Sequence, residues 1–271
     1  MNRKIFKEEE LPIKELETIG LARNGQLLMT DENKLALLFG RRTSLIRLQN
    51  LEDKNLKIGE LEAKISVERN SKGKLELKAH PIYHQPVFPV DLTDIEAEKL
   101  EQGETVAIYK KLKDKDETTR EYLFEYDPET REYIKTDTGK IEEPLLVNNE
   151  ILSESQREAF RKGKEVQLSD GTKFRYSGVD TAPFRANCIA LAVSLLLDGG
   201  LSYVIYRGIK SLTGKEHTSE AHELSKGFQE SVEDLKKAAE YFRSRMKQEP
   251  ANEAQKIEMN IQNNRSSRSR G

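Results

Sequence analysis

A single cysteine, Cys188, stands in 271 residues. That excludes an intrachain disulfide and a cysteine-based metal cluster, and it suits a reducing compartment, so a cytoplasmic location is expected. Apolar residues are scarce, at 36% against 34% charged. This is a thin supply for one large core, and small units with much exposed surface are expected. Neither sign of charge prevails. The net charge of −2 lacks the basic excess of a protein that lies along nucleic acid by a broad face. The first ten residues, Met1 to Glu10, contain no apolar core and do not read as a secretory signal.

The patterns of familiar chemistry are missing too. There is no Gly-x-x-x-x-Gly-Lys-Ser/Thr phosphate loop, no dinucleotide fingerprint, no His-Glu-x-x-His zinc helix and no Gly-x-Ser-x-Gly elbow. Cys188 sits in an apolar run, which disfavours its thiolate. His80 and His84 share a stretch with Pro81, Pro86 and Pro89, which breaks the helical spacing of a metal pair, and both read as surface histidines. No catalytic residue, cofactor or metal is expected, and the chain reads as not an enzyme.

What is present is one short phrase, three times. Met29-Thr30-Asp31-Glu32 leads through Leu37 to Gly40, Leu92-Thr93-Asp94 through Leu100 to Gly103, and Leu152-Ser153-Glu154 through Phe160 to Gly163. Thr93 and Ser153 are good N-caps, and Glu96 and Gln156 three residues on complete capping boxes; Thr30 is followed by Asn33 instead. Acids in the first turn suit the helix dipole, and the closing glycine supplies the left-handed stop. A true repeat is favoured over coincidental capping, which is common at helix starts.

Strand signals follow each phrase. Leu61–Val67 alternates, turns at Asn70–Gly73 and returns at Leu75–Leu77. Val106–Tyr109 and Glu121–Tyr126 precede the turn Asp127–Thr130 and the strand Arg131–Ile134. Val166–Leu168 turns at Ser169–Gly171 into Lys173–Tyr176. The proline-rich stretch His80–Pro89 bridges the first two units.

The run from Asn187 to Ile209 is the strongly apolar segment, interrupted by Asp198-Gly199-Gly200. It reads as a buried helical hairpin or self-association surface, with membrane insertion as the rival reading, since Asp198 would be costly in lipid. From Ser219 to about Gln248 an amphipathic helix is expected, with Phe228, Val232, Leu235, Phe242 and Met246 on one stripe. Pro250 stops it, and the polar tail reads as disordered.

The expected organisation is therefore an N-terminal helical unit over 1–50, two helix-plus-hairpin units over 51–177, a linker over 178–186, an apolar helical segment and amphipathic helix over 187–248, and a tail over 249–271. The expected fold class is α+β: repeated short helix plus antiparallel β-hairpin units, then an apolar helical hairpin and a long amphipathic C-terminal helix.

Several stretches resemble a known family. They are Leu35-Ala-Leu-Leu-Phe-Gly-Arg-Arg-Thr-Ser-Leu-Ile-Arg-Leu, Ala79-His-Pro-Ile-Tyr, Val147-Asn-Asn-Glu-Ile-Leu, Val166-Gln-Leu-Ser-Asp-Gly-Thr-Lys-Phe-Arg-Tyr-Ser and Leu197-Asp-Gly-Gly-Leu-Ser-Tyr-Val. Together they look like the domain-of-unknown-function proteins carried on conjugative transposons of Bacteroidetes-type bacteria. The resemblance implies a cytoplasmic accessory of a mobile genetic element, encoded near DNA-processing or transfer functions, some of them topoisomerase-like or primase-like. It implies no catalytic residues.

The favoured function is a non-enzymatic interaction or scaffold protein. It would dock a partner protein or a second copy through its C-terminal helical region, with Leu196, Leu201, Val204, Ile205, Phe228, Leu235 and Phe242 as the association surface. The alternative is a nucleic-acid-binding accessory of conjugative DNA processing. Arg41, Arg42, Arg47, Arg265, Arg268 and Arg270 would contact phosphate or an acidic partner, although a solvated loop is the plainer reading of the first three. A second alternative is membrane association through residues 187–209.

Overall fold

The computed structural model describes residues 6–53, 56–114, 116–197, 200–217, 224–238 and 240, without the side chains of 50, 52, 53, 56, 196, 197, 200 and 201. The chain opens with helix α1 (Ile13–Thr18), the hairpin strands β1 (Ala22–Arg23) and β2 (Gln26–Leu27), and helix α2 (Asp31–Leu38). Strands β3 (Ile46–Asp53), β4 (Leu56–Arg69) and β5 (Leu75–Pro81) follow. Helix α3 (Asp94–Glu101) precedes β6 (Ile108–Lys113), β7 (Thr119–Asp127) and β8 (Glu132–Asp137). After the hairpin β9 (Leu146–Val147) and β10 (Glu150–Ile151) come α4 (Glu154–Arg161), β11 (Val166–Gln167), β12 (Lys173–Tyr176) and β13 (Phe184–Ala186). The last strands are β14 (Ala190–Leu197) and β15 (Gly200–Arg207), and helix α5 spans 226–238.

Local chemistry sets the ends of α2, α3 and α4. The hydroxyls of Thr30, Thr93 and Ser153 each accept from the backbone amide three residues on, at 3.3 Å. Glu96 and Gln156 reach back to the amides of Thr93 and Ser153 at 2.9 Å, closing the capping boxes. Such a cap is worth about 1 kcal/mol. Asn33 turns its side chain elsewhere and accepts from the Ser44 amide at 2.8 Å. At the other end Gly40, Gly103 and Gly163 adopt φ of 61°, 70° and 68°. The Gly163 and Lys164 amides return to the carbonyls of Phe160 and Ala159 at 2.9 Å, a paired C-terminal closure.

These glycines differ in surroundings. A Cβ on Gly163 would stand 2.8 Å from Leu123 Cδ1, a side chain fully buried on β7, whereas one on Gly103 meets nothing within 4 Å. Gly103→Ala is expected to cost about 1 kcal/mol, the left-handed penalty alone. Gly163→Ala adds overpacking of about 1–3 kcal/mol. Thermal unfolding of the two variants side by side checks the difference, and equal losses would refute it.

Five small antiparallel sheets hold the described strands: β1-β2, β3-β4-β5, β6-β7-β8, β11-β12-β13 and β10-β9-β14-β15. The molecule is thus mostly strand, which corrects the expected α+β class. A three-stranded sheet follows each of α2, α3 and α4: the first and third of these gain a strand, β3 and β13, beyond the expected hairpins, and the second has the three strands expected. The helices seat one anchor each: Leu37 in the first core, Leu100 in the second and Phe160 in the third. The third core is the aromatic one. Phe160 contacts Phe174, Tyr176 and Phe184 at ring separations of 5.9, 5.7 and 5.3 Å, and Phe184 continues to Tyr206 at 5.2 Å.

The apolar run is the largest correction. It forms no helical hairpin but a β-hairpin, β14 with β15, in register from Ala190↔Arg207 to Leu197↔Gly200. The physical reason is two-sided burial. Leu191, Val193 and Leu195 enter the third core, while Ala190 and Ala192 on the opposite face lie under Phe228 of α5. A strand covered on both faces reads as an unbroken apolar run, and periodicity alone does not distinguish it from a helix. The Asp-Gly pair between Leu197 and Gly200 is a hairpin-turn signal, and Val193, Tyr203, Val204, Ile205 and Tyr206 favour strand. No helix among the described residues is long and apolar enough to cross a membrane.

The long amphipathic C-terminal helix is likewise not seen. Residues 224 and 225 are not helical, and α5 is short; apart from residue 240, the remainder of the expected helix and the tail over 249–271 lie outside the described residues. The expected break at residue 50 falls inside β3. Residues 178–186, read as a linker, hold strand β13, and Val179, Asp180, Ala182, Phe184, Arg185 and Ala186 there are buried.

Candidate functional site

Two features stand out: a buried charged junction and, beside it, an apolar groove. The junction forms where the three-stranded sheets meet the loop 177–183. Lys64 on β4 is buried, with Nζ 2.7 Å from Asp127 Oδ2 and 2.7 Å from Glu129 Oε2. Arg185 Nε donates to Asp180 Oδ2 at 2.5 Å, and Ser177 Oγ donates to the same oxygen at 2.6 Å. Lys210 lies 3.6 Å from Glu129 and 3.7 Å from Asp180. Burial opposes ionisation of Asp180, but the Arg185 charge and its hydrogen bond prevail and hold the carboxyl below the ordinary range.

Glu125 on β7 is fully buried and takes the Gly178 amide at 2.6 Å on one oxygen, while Oε1 has no hydrogen-bond partner. Burial pushes its carboxyl up to about 7, against the pull of Arg185 and Arg175. Arg175 donates Nε to the Leu212 carbonyl at 3.0 Å and leaves Nη1 and Nη2 without partners. Burial, then repulsion from Arg185, lowers it to about 10. These charges face one another across strands of different sheets. Their joint effect is to fix the sheets against one another, since any relative shift would strand a buried ion.

The sequence-predicted basic cluster belongs to this junction. Arg41 gives its guanidinium to backbone carbonyls: Ser177 at 2.6 Å, Asp180 at 2.7 Å, Thr181 at 3.0 Å and Ala182 at 3.2 Å. Arg42 pairs with Glu132 at 2.5 Å, a carboxylate that also lies 3.6 Å from His80 Nδ1. His80 is no surface histidine: it is buried, with Nε2 2.9 Å from Ser66 Oγ. Arg47 alone of the three is exposed, 3.7 Å from Glu60. Arg265, Arg268 and Arg270 lie outside the described residues. Arg41 and Arg42 are thus internal ties rather than contacts for phosphate.

The groove, of about 320 Å³, opens between α2 and the end of β15. Leu35 and Ala36 of α2, with Phe39 just past its end, form one wall, Ile205 and Arg207 the other, and Thr181 and Ala182 close the base. Asp31 and Glu32 stand on its rim. Glu32 is fastened by the Thr181 hydroxyl, so the groove is tied to the same loop that Arg41 grips.

Among the described strands, β15 is the open edge of its sheet, paired with β14 alone. Its neighbour sets its hydrogen-bond parity. On β14 the carbonyls of Ala192 and Ser194 are taken from the β9 side, by the amides of Asn148 at 2.8 Å and Leu145 at 2.9 Å. Residues directly opposite share that sense in an antiparallel pair. Ile205 and Tyr203, opposite Ala192 and Ser194, therefore turn their amides and carbonyls away from β14, as does Arg207. Tyr203 and Ile205 are 45% and 37% exposed, large apolar side chains on the same open strand.

The expected association surface is only partly brought together. Ile205 lines the groove and Val204 packs against the third core. Phe228 is buried over Ala190 and Ala192, so it holds α5 to the sheet and is not free for a partner. Leu235 is half-buried on α5. The side chains of Leu196 and Leu201, and Phe242, fall outside the described residues. Sequence reasoning missed Tyr203, Arg207, Leu35 and Phe39, whose alternation and helical spacing were visible but whose meeting depends on the tertiary fold. Further exposed apolar side chains, Val87, Phe88 and Val90, lie on the connection into α3, with Ile95 in its first turn. Cys188 is buried, and burial raises its thiol to about 11.

Comparison with known proteins touches the first part of the chain. Neither a curated protein nor a solved structure matches it. Residues 6–89, which contain α1 through β5, match the model of a family described as Protein of unknown function (DUF4099).

Proposed function

We propose that this chain is a non-enzymatic docking protein and that its contact surface is the groove between α2 and the open edge of β15. The supporting observation is the juxtaposition itself. An edge strand with outward backbone donors and acceptors lies beside an apolar wall, which is how sheets receive an added strand. The chemistry elsewhere supports it: the buried pairs Lys64–Asp127 and Arg185–Asp180 hold the sheet junction together, and the buried thiol is held protonated. The sequence resemblance supplies the setting, a cytoplasmic accessory of a conjugative element in Bacteroidetes-type bacteria.

A photo-crosslinking residue at position 205 tests the reading, with a control at Glu60, an exposed site on β4. Adducts from position 205, to another protein or to a second copy, and none from position 60, are expected in the host cell. Absence of any adduct from position 205 defeats the proposal.

A further inference from the structure

We propose that β15 pairs with β15 of a second copy, antiparallel about a two-fold axis at Ile205, joining two four-stranded sheets into one continuous sheet. The inference rests on the docking reading above and names the occupant of that edge.

Parity comes first. Tyr203, Ile205 and Arg207 carry the outward backbone groups, as their β14 counterparts require. With the axis at Ile205, these residues of one copy face Arg207, Ile205 and Tyr203 of the other. Every outward group then meets an outward group. An axis midway between two residues would set outward groups against residues already bonded to β14, so the permitted axes lie at residues.

Side-chain chemistry selects among them. Tyr203, Ile205 and Arg207 share one face of the strand. About the Ile205 axis, the two Ile205 side chains meet, and each Tyr203 ring faces the Arg207 guanidinium of the other copy. That places two cation–aromatic pairs symmetrically around an apolar centre. In its own chain Arg207 lies over the Phe228 ring at 5.9 Å, which leaves the second face of its planar guanidinium for Tyr203. An axis at Val204 would set Tyr203 against Ile205 and Arg207 against Leu201, which leaves each guanidinium without an aromatic. An axis at Tyr203 would set the two tyrosines together and leave Arg207 at the margin without an aromatic.

The edge also lacks guards. Natural edges are blunted by lysine, proline or a bulge along their length. β15 contains neither lysine nor proline, its one charge is the terminal Arg207, and its irregularity comes only after it ends, at Gly208 with φ 64°. A strand so bare, with a sequence that complements itself when reversed, fits a second copy better than an unrelated segment.

The test uses the full chain. The single native cysteine is buried, so introduced thiols report alone. Directly opposed Cα atoms stand about 4.5–5.5 Å apart, inside the range for a disulfide. Under mild oxidation Ile205→Cys is expected to give a covalent dimer. Tyr203→Cys is expected to give none, because its two copies would lie about 13 Å apart at the strand rise. A mixture of Tyr203→Cys with Arg207→Cys should form the mixed dimer. In sedimentation the unmodified protein should be a dimer and Ile205→Lys a monomer with an unchanged far-ultraviolet circular dichroism spectrum.

A monomer at about 100 μM, where even a micromolar dimer would persist, overturns the pairing. So does a dimer that survives Ile205→Lys, or cross-linking at 203 in place of 205. A monomeric protein whose position-205 adducts are to another protein overturns the pairing and leaves the docking reading standing. A monomer with no adducts removes both.

Discussion

Arg41→Ala is expected to lower the unfolding free energy by about 4 kcal/mol, from hydrogen bonds to a charged group worth about 1.5–3 kcal/mol each and not additive. The side chain binds the carbonyls of Ser177, Asp180, Thr181 and Ala182. Those carbonyls belong to the loop that also meets Glu125 through Gly178 and Glu32 through Thr181. Deleting one guanidinium therefore loosens the first unit from the third and leaves acceptors without donors. Arg41→Lys should recover only part of the loss, because a point charge cannot fork onto carbonyls set at several angles. Urea unfolding midpoints measure both. A loss under about 1 kcal/mol, the size of an ordinary neutral hydrogen bond, would show that the loop is held by other means.

Glu125→Gln should stabilise the protein at alkaline pH and do little in acid. Burial raises the carboxyl from the ordinary 4.5 to about 7. A carboxyl whose folded pKa lies above its unfolded value favours the protonated fold, so its stabilisation is complete below 4.5 and is lost as pH rises through 7. The full difference is worth about 3 kcal/mol. Glutamine keeps an acceptor for the Gly178 amide and cannot ionise. The variant should match the parent near pH 4 and exceed it at pH 8 in urea midpoint. A gap that does not change with pH would refute this account.

Glu132 works in the opposite sense. Burial tends to raise its pKa, but His80 and the Arg42 charge prevail and hold it down to about 2. Its contribution is present above the ordinary 4.5 and is lost as pH falls toward 2. The two carboxylates, both at the junction, thus oppose each other in their effect on the pH–stability curve.

The helix boundaries were legible because their causes are local. Thr93 and Ser153 followed by Glu96 and Gln156 cap within one turn, and the closing glycines need only their own φ. The turn Asn70–Gly73 and the strand alternation around it were legible on the same ground. The apolar run was misread because its evenness comes from the third core on one face and Phe228 on the other. Neither partner is near in sequence. Arg41 and Arg42 were misread as surface charges for a related reason: their partners lie at Ser177–Ala182 and Glu132, far along the chain.

By itself the sequence determined where α2, α3 and α4 begin and end, since capping and left-handed glycine act over four or five residues. Only the tertiary structure decided that the apolar run is a strand pair, that the arginines are internal ties, and that an open edge stands beside a groove. Burial, charge compensation and buried hydrogen bonds join residues as distant as Lys64 and Asp127, 63 positions apart, and Arg41 and Ala182, 141 apart, and no local pattern encodes which of them will meet.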